Sequence, residues 1–233
     1  DEMAEKLGMD PFEIRRRNAL YPGATTVGGE VLESSMGMLE TIDACERALH
    51  EALREYEGKY PNGTKLLGWG VASGVKNSGV GKGIFVDDGA CKMSLGEDGV
   101  LHMIMSGTDM GQGFRTAMVQ IAAETMGMDM DRIKIVHGDT KITMPVGESV
   151  SERQTLCGGR AVYECARRLR ESLETRPLAP GEVRRAEYYF RAPECFAIGN
   201  FKGAEEKGVK YRNFPAYAYA TQAAIVEGDT ATG

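Results

Sequence analysis

Apolar positions alternate in some stretches of the chain and recur every three or four residues in others, and these two periods lay out its elements. Alternation at Leu67, Trp69, Val71 and Ser73 predicts a strand, and Ile84, Phe85 and Val86 predict a further one. Residues 90–95 and 100–105 predict a hairpin around Gly96-Glu97-Asp98-Gly99. Shorter apolar runs predict strands at 133–136, 183–190 and 217–227. Helical spacing predicts a long amphipathic helix over 39–56, with Leu39, Ile42, Leu49 and Leu53 towards a core. Another helix is predicted over 114–126, and Gly158-Gly159 opens one more, with Val162, Cys165, Ala166 and Leu169 turned inward. At the start, residues 1–7 predict a helix stopped by Gly8, and Asp10-Pro11 opens a second with an acidic N-cap and a proline at its first position.

The intervening stretches divide these elements. Residues 21–36, rich in glycine, threonine and serine, predict a linker, and 59–64 break the long helix. Residues 175–182 carry two prolines and predict a loop, while 191–215 predict an irregular excursion over the surface or a site. The stretch Gly74 to Gly83 has two readings, a glycine-rich connection between strands or a loop that covers a ligand. It lacks the four-residue gap and the Gly-Lys-Ser/Thr of a phosphate-binding P-loop. The class is α+β, with βα units and mixed sheets, and the organisation expected is a helical lead-in and linker over 1–36 followed by one larger domain over 37–233. The sequence opens inside a helix and stops on a turn after an alternating run, so a fragment of a longer polypeptide is expected.

Composition narrows the classes. The 233 residues are 42% hydrophobic and 27% charged, ordinary for a globular protein. A net charge of −6, without a basic aromatic patch, argues against nucleic acid. No apolar run approaches the roughly 20 residues that span a bilayer, and no signal peptide is visible, so a cytoplasmic home is expected. The five cysteines form no C-x-x-C pair and the three histidines are dispersed, so no metal ligands are expected and the thiols are expected to be free and mostly buried.

Candidate chemistry lies between residues 100 and 169. Twice there a strand leads through a turn or polar loop into a helix that starts beside glycines, and a helix N-terminus carries unpaired N–H groups and partial positive charge. Two such ends suggest a floor for an anionic, polar ligand; the alternative is that the glycines only make tight turns. Arg15-Arg16-Arg17 on the second helix is a solvated face or meets a partner subunit or phosphate.

The residues then carry a resemblance. Gly107-Thr108-Asp109-Met110-Gly111-Gln112-Gly113, Gln120-Ile121-Ala122-Ala123-Glu124, Gly138-Asp139-Thr140, Ser151-Glu152-Arg153-Gln154-Thr155 and Gly159-Arg160-Ala161-Val162 follow one another in order. Together they resemble the molybdopterin-binding region of the xanthine dehydrogenase and aldehyde oxidase family. The opening Asp1-Glu2-Met3-Ala4-Glu5-Lys6-Leu7-Gly8-Met9-Asp10-Pro11 resembles the helical link before that region, and residues 219–233 the family's strand pair before its C-terminal part. Glu152 stands as an insertion in the family's pattern. Residues 76–83 lean towards bacterial purine-type members.

The resemblance implies that 37–233 are part of a molybdopterin-binding domain, truncated at its C-terminal end. It implies a molybdenum hydroxylase that oxidises a purine, a related heterocycle or an aldehyde with water as the oxygen source. The cofactor would be a molybdenum pyranopterin with a phosphate or cytosine dinucleotide tail. Iron–sulfur clusters and FAD would lie on other domains or subunits, the expected partners. Cofactor-binding residues implied are Met110, Gly111, Gln112 and Gly113 beside the metal and dithiolene, and Ser149, Val150, Ser151, Arg153, Gln154 and Thr155 along the pterin and its phosphate. No catalytic residue or metal ligand is assigned within the chain, because the family's catalytic glutamate would lie beyond Gly233; Glu124 and Glu148 are the nearest carboxylates. The chain alone is expected to be inactive and to self-associate along the strand at 217–227. The alternative is a non-catalytic α/β binding or scaffold module that has lost the cofactor.

Overall fold

The computed structural model describes residues 1–33, 36–60, 63–82 and 86–233. The chain forms two compact units, one of residues 1–76 with 217–233 and one of residues 77–216. The division between these units falls at positions 76 and 217, and the lead-in helices lie in the same unit as the long helix that follows them.

In the first unit, α1 (Glu2–Lys6) and α2 (Pro11–Asn18) precede α3 (Met38–Arg54). The side chain of Asp10 accepts from the backbone N–H groups of Phe12 and Glu13, the cap that starts α2. Strands β1 (Lys65–Ser78) and β6 (Ala216–Asp229) pair in a two-stranded sheet. Thr230 N–H meets Thr64 O and Ser73 meets Thr221, so the strands run antiparallel. Phe12, Met38, Ile42, Leu49 and Val71 form the core. Leu39, placed inward by the spacing, is exposed, because it sits in the first turn of α3 off the buried Met38, Ile42 and Leu49 stripe. The arginine triplet is spent within the chain: Arg15 pairs with Asp1 at 2.8 Å, Arg16 with Asp43 at 2.8 Å and also with Glu46, and Arg17 with Glu13 at 2.7 Å. The expected linker contains a reverse turn closed by a Thr25–Val31 bridge, and its buried Glu30 accepts from the Tyr217 hydroxyl at 2.7 Å.

The second unit is built on a four-stranded sheet in the order β4-β3-β2-β5, with β2 Asp88–Leu95, β3 Leu101–Met105, β4 Ile133–His137 and β5 Arg184–Arg191. The predicted hairpin is the antiparallel pair β2 and β3, in register Leu95 to Leu101. β4 lies parallel to β3 and is reached through α4 (Phe114–Met126), a βαβ crossover. α5 (Gly159–Thr175) then leads into β5, which pairs antiparallel with β2. Leu101, Met103 and Met105 alternate inward from β3 and meet Met118 and Ala122 of α4 and Val162, Cys165 and Leu169 of α5. All of these side chains are buried, each contributing roughly 1.5–3 kcal/mol for the larger ones.

Two expectations differ in this unit. The excursion 191–215 contains a short helix, α6 (Phe201–Glu206), and Tyr211 packs against Phe201 with ring centroids 4.3 Å apart. Of the strand expected at 84–86, residues 84 and 85 lie outside the described residues and Val86 belongs to no strand. No helix among the described residues is long and apolar enough to cross a membrane.

Candidate functional site

The loops after β3 and before α5 converge. Ser149 Oγ accepts from the backbone N–H of Thr108 at 2.8 Å and from Gln154 Nε2 at 3.1 Å, so one hydroxyl joins the two stretches singled out in the sequence. Beside this junction opens a cleft of about 860 Å³. Met110, Gln112, Ser149, Val150, Ser151, Arg153, Gln154 and Thr155 line it, together with residues that sequence reasoning did not assign: Ser78, Glu152, Leu156, Gly159, Arg160, Tyr163 and Ala216. Tyr163 falls one turn beyond Gly159 on α5, so helical spacing alone places it on the face next to the cleft.

Gly111 and Gly113 do not line the cleft; they give the loop its turn, at φ +98° and +82°. Gly107 is needed for space as well, since a Cβ there would fall 2.4 Å from Cζ of Phe114.

The two helix starts differ in what they leave free. At α4 the carboxylate of Asp109 accepts from the N–H groups of Arg115 and Gly111, both at 3.0 Å, so the seat for an anion is filled by the loop's own charge. The N–H of Arg115, then that of Gly111, holds the Asp109 carboxyl below its usual range. A depressed folded value contributes stability that is complete above the unfolded value of about 3.9 and is lost as the pH falls through the folded one. Loop 108–113 is therefore expected to loosen in acid below about pH 4. An acid titration of the Arg115 amide by NMR checks this, and Asp109→Asn should abolish the transition. An Arg115 amide that titrates identically in the variant would contradict it.

The second α-helix opens at Gly159, as the glycine pair suggests, but further helical turns precede it. Helical structure begins at Arg153, passes through a π-turn over Gln154–Gly158 and continues as α5. Gly158 and Gly159 have ordinary helical backbones, with φ −66° and −60°. Gly159 serves close packing instead, because a Cβ there would meet Ile121 Cδ1 at 2.9 Å. Residues 151–155, the turn into this helical run and its start, thus lie at the cleft. π-turns of this kind collect at functional sites.

Three side chains define the chemistry of the cleft. The Gln112 carboxamide closes its own loop, donating to Thr108 O at 2.8 Å and accepting from Met110 N–H at 2.5 Å. Gln154 is buried; its amide nitrogen is held by Ser149, and its Oε1 has no hydrogen-bond partner among the described residues. A buried acceptor left unmade costs roughly 1–3 kcal/mol, and this one is enclosed beside Gly107 and Gly158. Arg153 is fully buried, and its guanidinium faces Asp87 and Asp88.

Other reactive groups stand apart. The Cys157 thiol beneath the π-turn is pushed up to about 11 by burial, which keeps it protonated. Cys91, Cys165 and Cys195 are buried free thiols and Cys45 is half-buried. Glu124 and Glu148 are exposed and do not line the cleft. Among the described residues no group of three or more histidine, cysteine or carboxylate side chains is arranged to hold a metal ion.

A family model described as the molybdopterin cofactor-binding domain matches residues 43–233, which include both cleft loops. The chain is 32% identical over 177 residues to an aldehyde oxidoreductase of Megalodesulfovibrio gigas, covering 75% of this chain and 19% of that protein. It is 27% identical over 175 residues to a putative xanthine dehydrogenase molybdenum-binding subunit of Escherichia coli, covering 74% of this chain and 23% of that one. The solved structure of the aldehyde oxidoreductase from Desulfovibrio gigas superposes with a TM-score of 0.73 at 27% identity, covering 100% of this chain and 26% of that chain. The chain thus spans about a fifth of the length of the curated relatives it matches.

Proposed function

Because the chain belongs to the molybdopterin cofactor-binding domain family, we propose that the cleft between residues 106–113 and 149–155 holds the pterin end of the cofactor in a molybdenum hydroxylase. The observation that carries this reading is the convergence of the two loops on one cleft, joined through Ser149 Oγ, which accepts from Thr108 N–H of the first and from Gln154 Nε2 of the second.

The chain's own groups would act as follows. The N-terminal end of the π-turn, at Gln154 and Thr155, lies at the cleft, where the helix dipole adds partial positive charge towards an anionic tail. The left-handed pair Ser151 and Glu152, at φ +52° and +50°, turns the backbone of this segment sharply. Met110, Val150, Leu156 and Tyr163 give the cleft an apolar lining against which a flat ring can pack. When bound, the molybdenum pterin supplies the two-electron redox centre, with water as the source of the oxygen transferred.

The substrate proposed is a purine, a related heterocycle or an aldehyde. The partners proposed are iron–sulfur and FAD domains or subunits that take the electrons, as in the wider family that the sequence resembles. Names among the relatives, aldehyde oxidoreductase and xanthine dehydrogenase, support this range of substrates.

The test is elemental: the enzyme that contains this chain should carry molybdenum and phosphorus in fixed proportion to protein. Gln112→Ala removes both hydrogen bonds that close loop 108–112, each worth about 1 kcal/mol net. Its expected result is reduced molybdenum occupancy. Occupancy equal to wild type would show that the loop takes no part in retention, and a wild-type enzyme without molybdenum would favour a binding module that has lost the cofactor.

A further inference from the structure

We infer that Arg153 is a positioning residue, whose buried guanidinium sets the turn that meets the cofactor and does not itself bind the anion; this rests on the cofactor reading of the cleft. An arginine in a polar loop next to an anion site reads as a phosphate ligand, but its geometry assigns it elsewhere. Nε donates to Asp87 Oδ1 at 3.1 Å and Nη1 to Glu148 O at 2.8 Å. Nη2 donates to Val86 O at 3.0 Å, Asp88 O at 2.6 Å and Asp88 Oδ1 at 3.2 Å. A guanidinium has five N–H donors, and these contacts occupy its three nitrogens on the side away from solvent. The side chain is 0% exposed.

The acceptors extend the tie. Asp87 also accepts from Val80 N–H at 3.0 Å and Gly81 N–H at 2.9 Å, and Asp88 from Gly147 N–H at 2.9 Å and the Tyr189 hydroxyl. One side chain thus joins residues 80–81, 86–88 and 147–148 to its own turn. On the other side, Ser151 O accepts from Gly79 N–H at 2.7 Å and Ser151 Oγ from Asn77 Nδ2 at 2.9 Å. Between these tethers sit Ser151 and Glu152 in the left-handed region, a conformation that non-glycine residues hold only where the surroundings over-determine it. Lysine cannot replace this role, because its ammonium is a point charge with three donors and no planar fork.

The test compares Arg153→Lys with Leu169→Ala in the enzyme that contains this chain, Leu169 being buried in the core of the same unit and away from the cleft. Hydrogen exchange at amides 149–157 and molybdenum content are read together with the melting temperature. The expected result is exchange at 149–157 faster by at least about tenfold in Arg153→Lys, with molybdenum lost. Leu169→Ala should leave that segment within about twofold of wild type, whatever its melting temperature. Unchanged exchange in Arg153→Lys, or equal molybdenum loss in Leu169→Ala, would overturn the inference. Should Arg153→Lys fail to fold, Asp87→Asn keeps the shape and weakens only the charged contact; it is expected to speed the same amides, and unchanged exchange overturns the inference. Wild-type enzyme lacking molybdenum and phosphorus overturns the cofactor reading alone, since the exchange result still decides whether Arg153 holds the turn.

Discussion

Replacing Asp88 by alanine is expected to lower the stability of the unit of residues 77–216 by about 3–5 kcal/mol. The carboxylate is buried at the first residue of β2 and is one of the acceptors facing the Arg153 guanidinium. Its removal also leaves the Gly147 N–H and the Tyr189 hydroxyl without their acceptor in the interior. Breaking a buried pair is costly because the remaining charge stays desolvated, whereas replacing both partners by apolar groups is not. With total stabilities near 5–15 kcal/mol, such a loss consumes a large share of the fold. Urea unfolding of wild type and variant measures it, and a loss below about 1 kcal/mol would contradict a structural role for the cluster.

Gly89→Ala is expected to cost about 3 kcal/mol and to displace the π-turn from the cleft. Its Cβ would land 2.2 Å from Cys157 O, 2.4 Å from Cys157 C and 2.7 Å from Gly158 N. These are backbone atoms, so no rotamer change relieves the clash; strand β2 and the start of α5 must separate. The same turn carries Gln154 and Thr155, so cofactor retention should fall with stability. Gly96→Ala is the control: its Cβ would meet nothing closer than 3.6 Å, and a near-neutral result is expected. Equal stability for the two variants would show that β2 and the π-turn are not in contact as described.

The contrast between these glycines explains what could be read from the sequence. The helix expected at 114–126 is found at those residues, because flanking Gly113 and Gly127 both take left-handed backbones, the property glycine advertises most clearly. Gly158 and Gly159 look the same in sequence, yet both are helical, and Gly159 is there to let α5 approach α4. A string of residues does not distinguish a glycine needed for its torsion from one needed for its size, so the π-turn over Gln154–Gly158 ahead of α5 was not foreseen.

Arg153 shows a similar boundary. Its motif marked it for the site, but its burial depends on Asp87 and Asp88, 66 and 65 residues earlier and brought next to the turn only by the sheet. Gln112, expected from the resemblance beside the metal and dithiolene, has its carboxamide bonded within its own loop, a contact that spacing cannot reveal. The apolar periods carried the strands and long helices, because burial on one face is a local pattern. Polar placement rests on contacts between distant residues and needed the structure.

The most direct measurement is anomalous diffraction at the molybdenum edge from crystals of the enzyme that contains this chain. The account predicts a molybdenum peak beside the Gln112 loop, with continuous pterin density running to Ser149–Thr155. An ordered cofactor whose density passes elsewhere would contradict it.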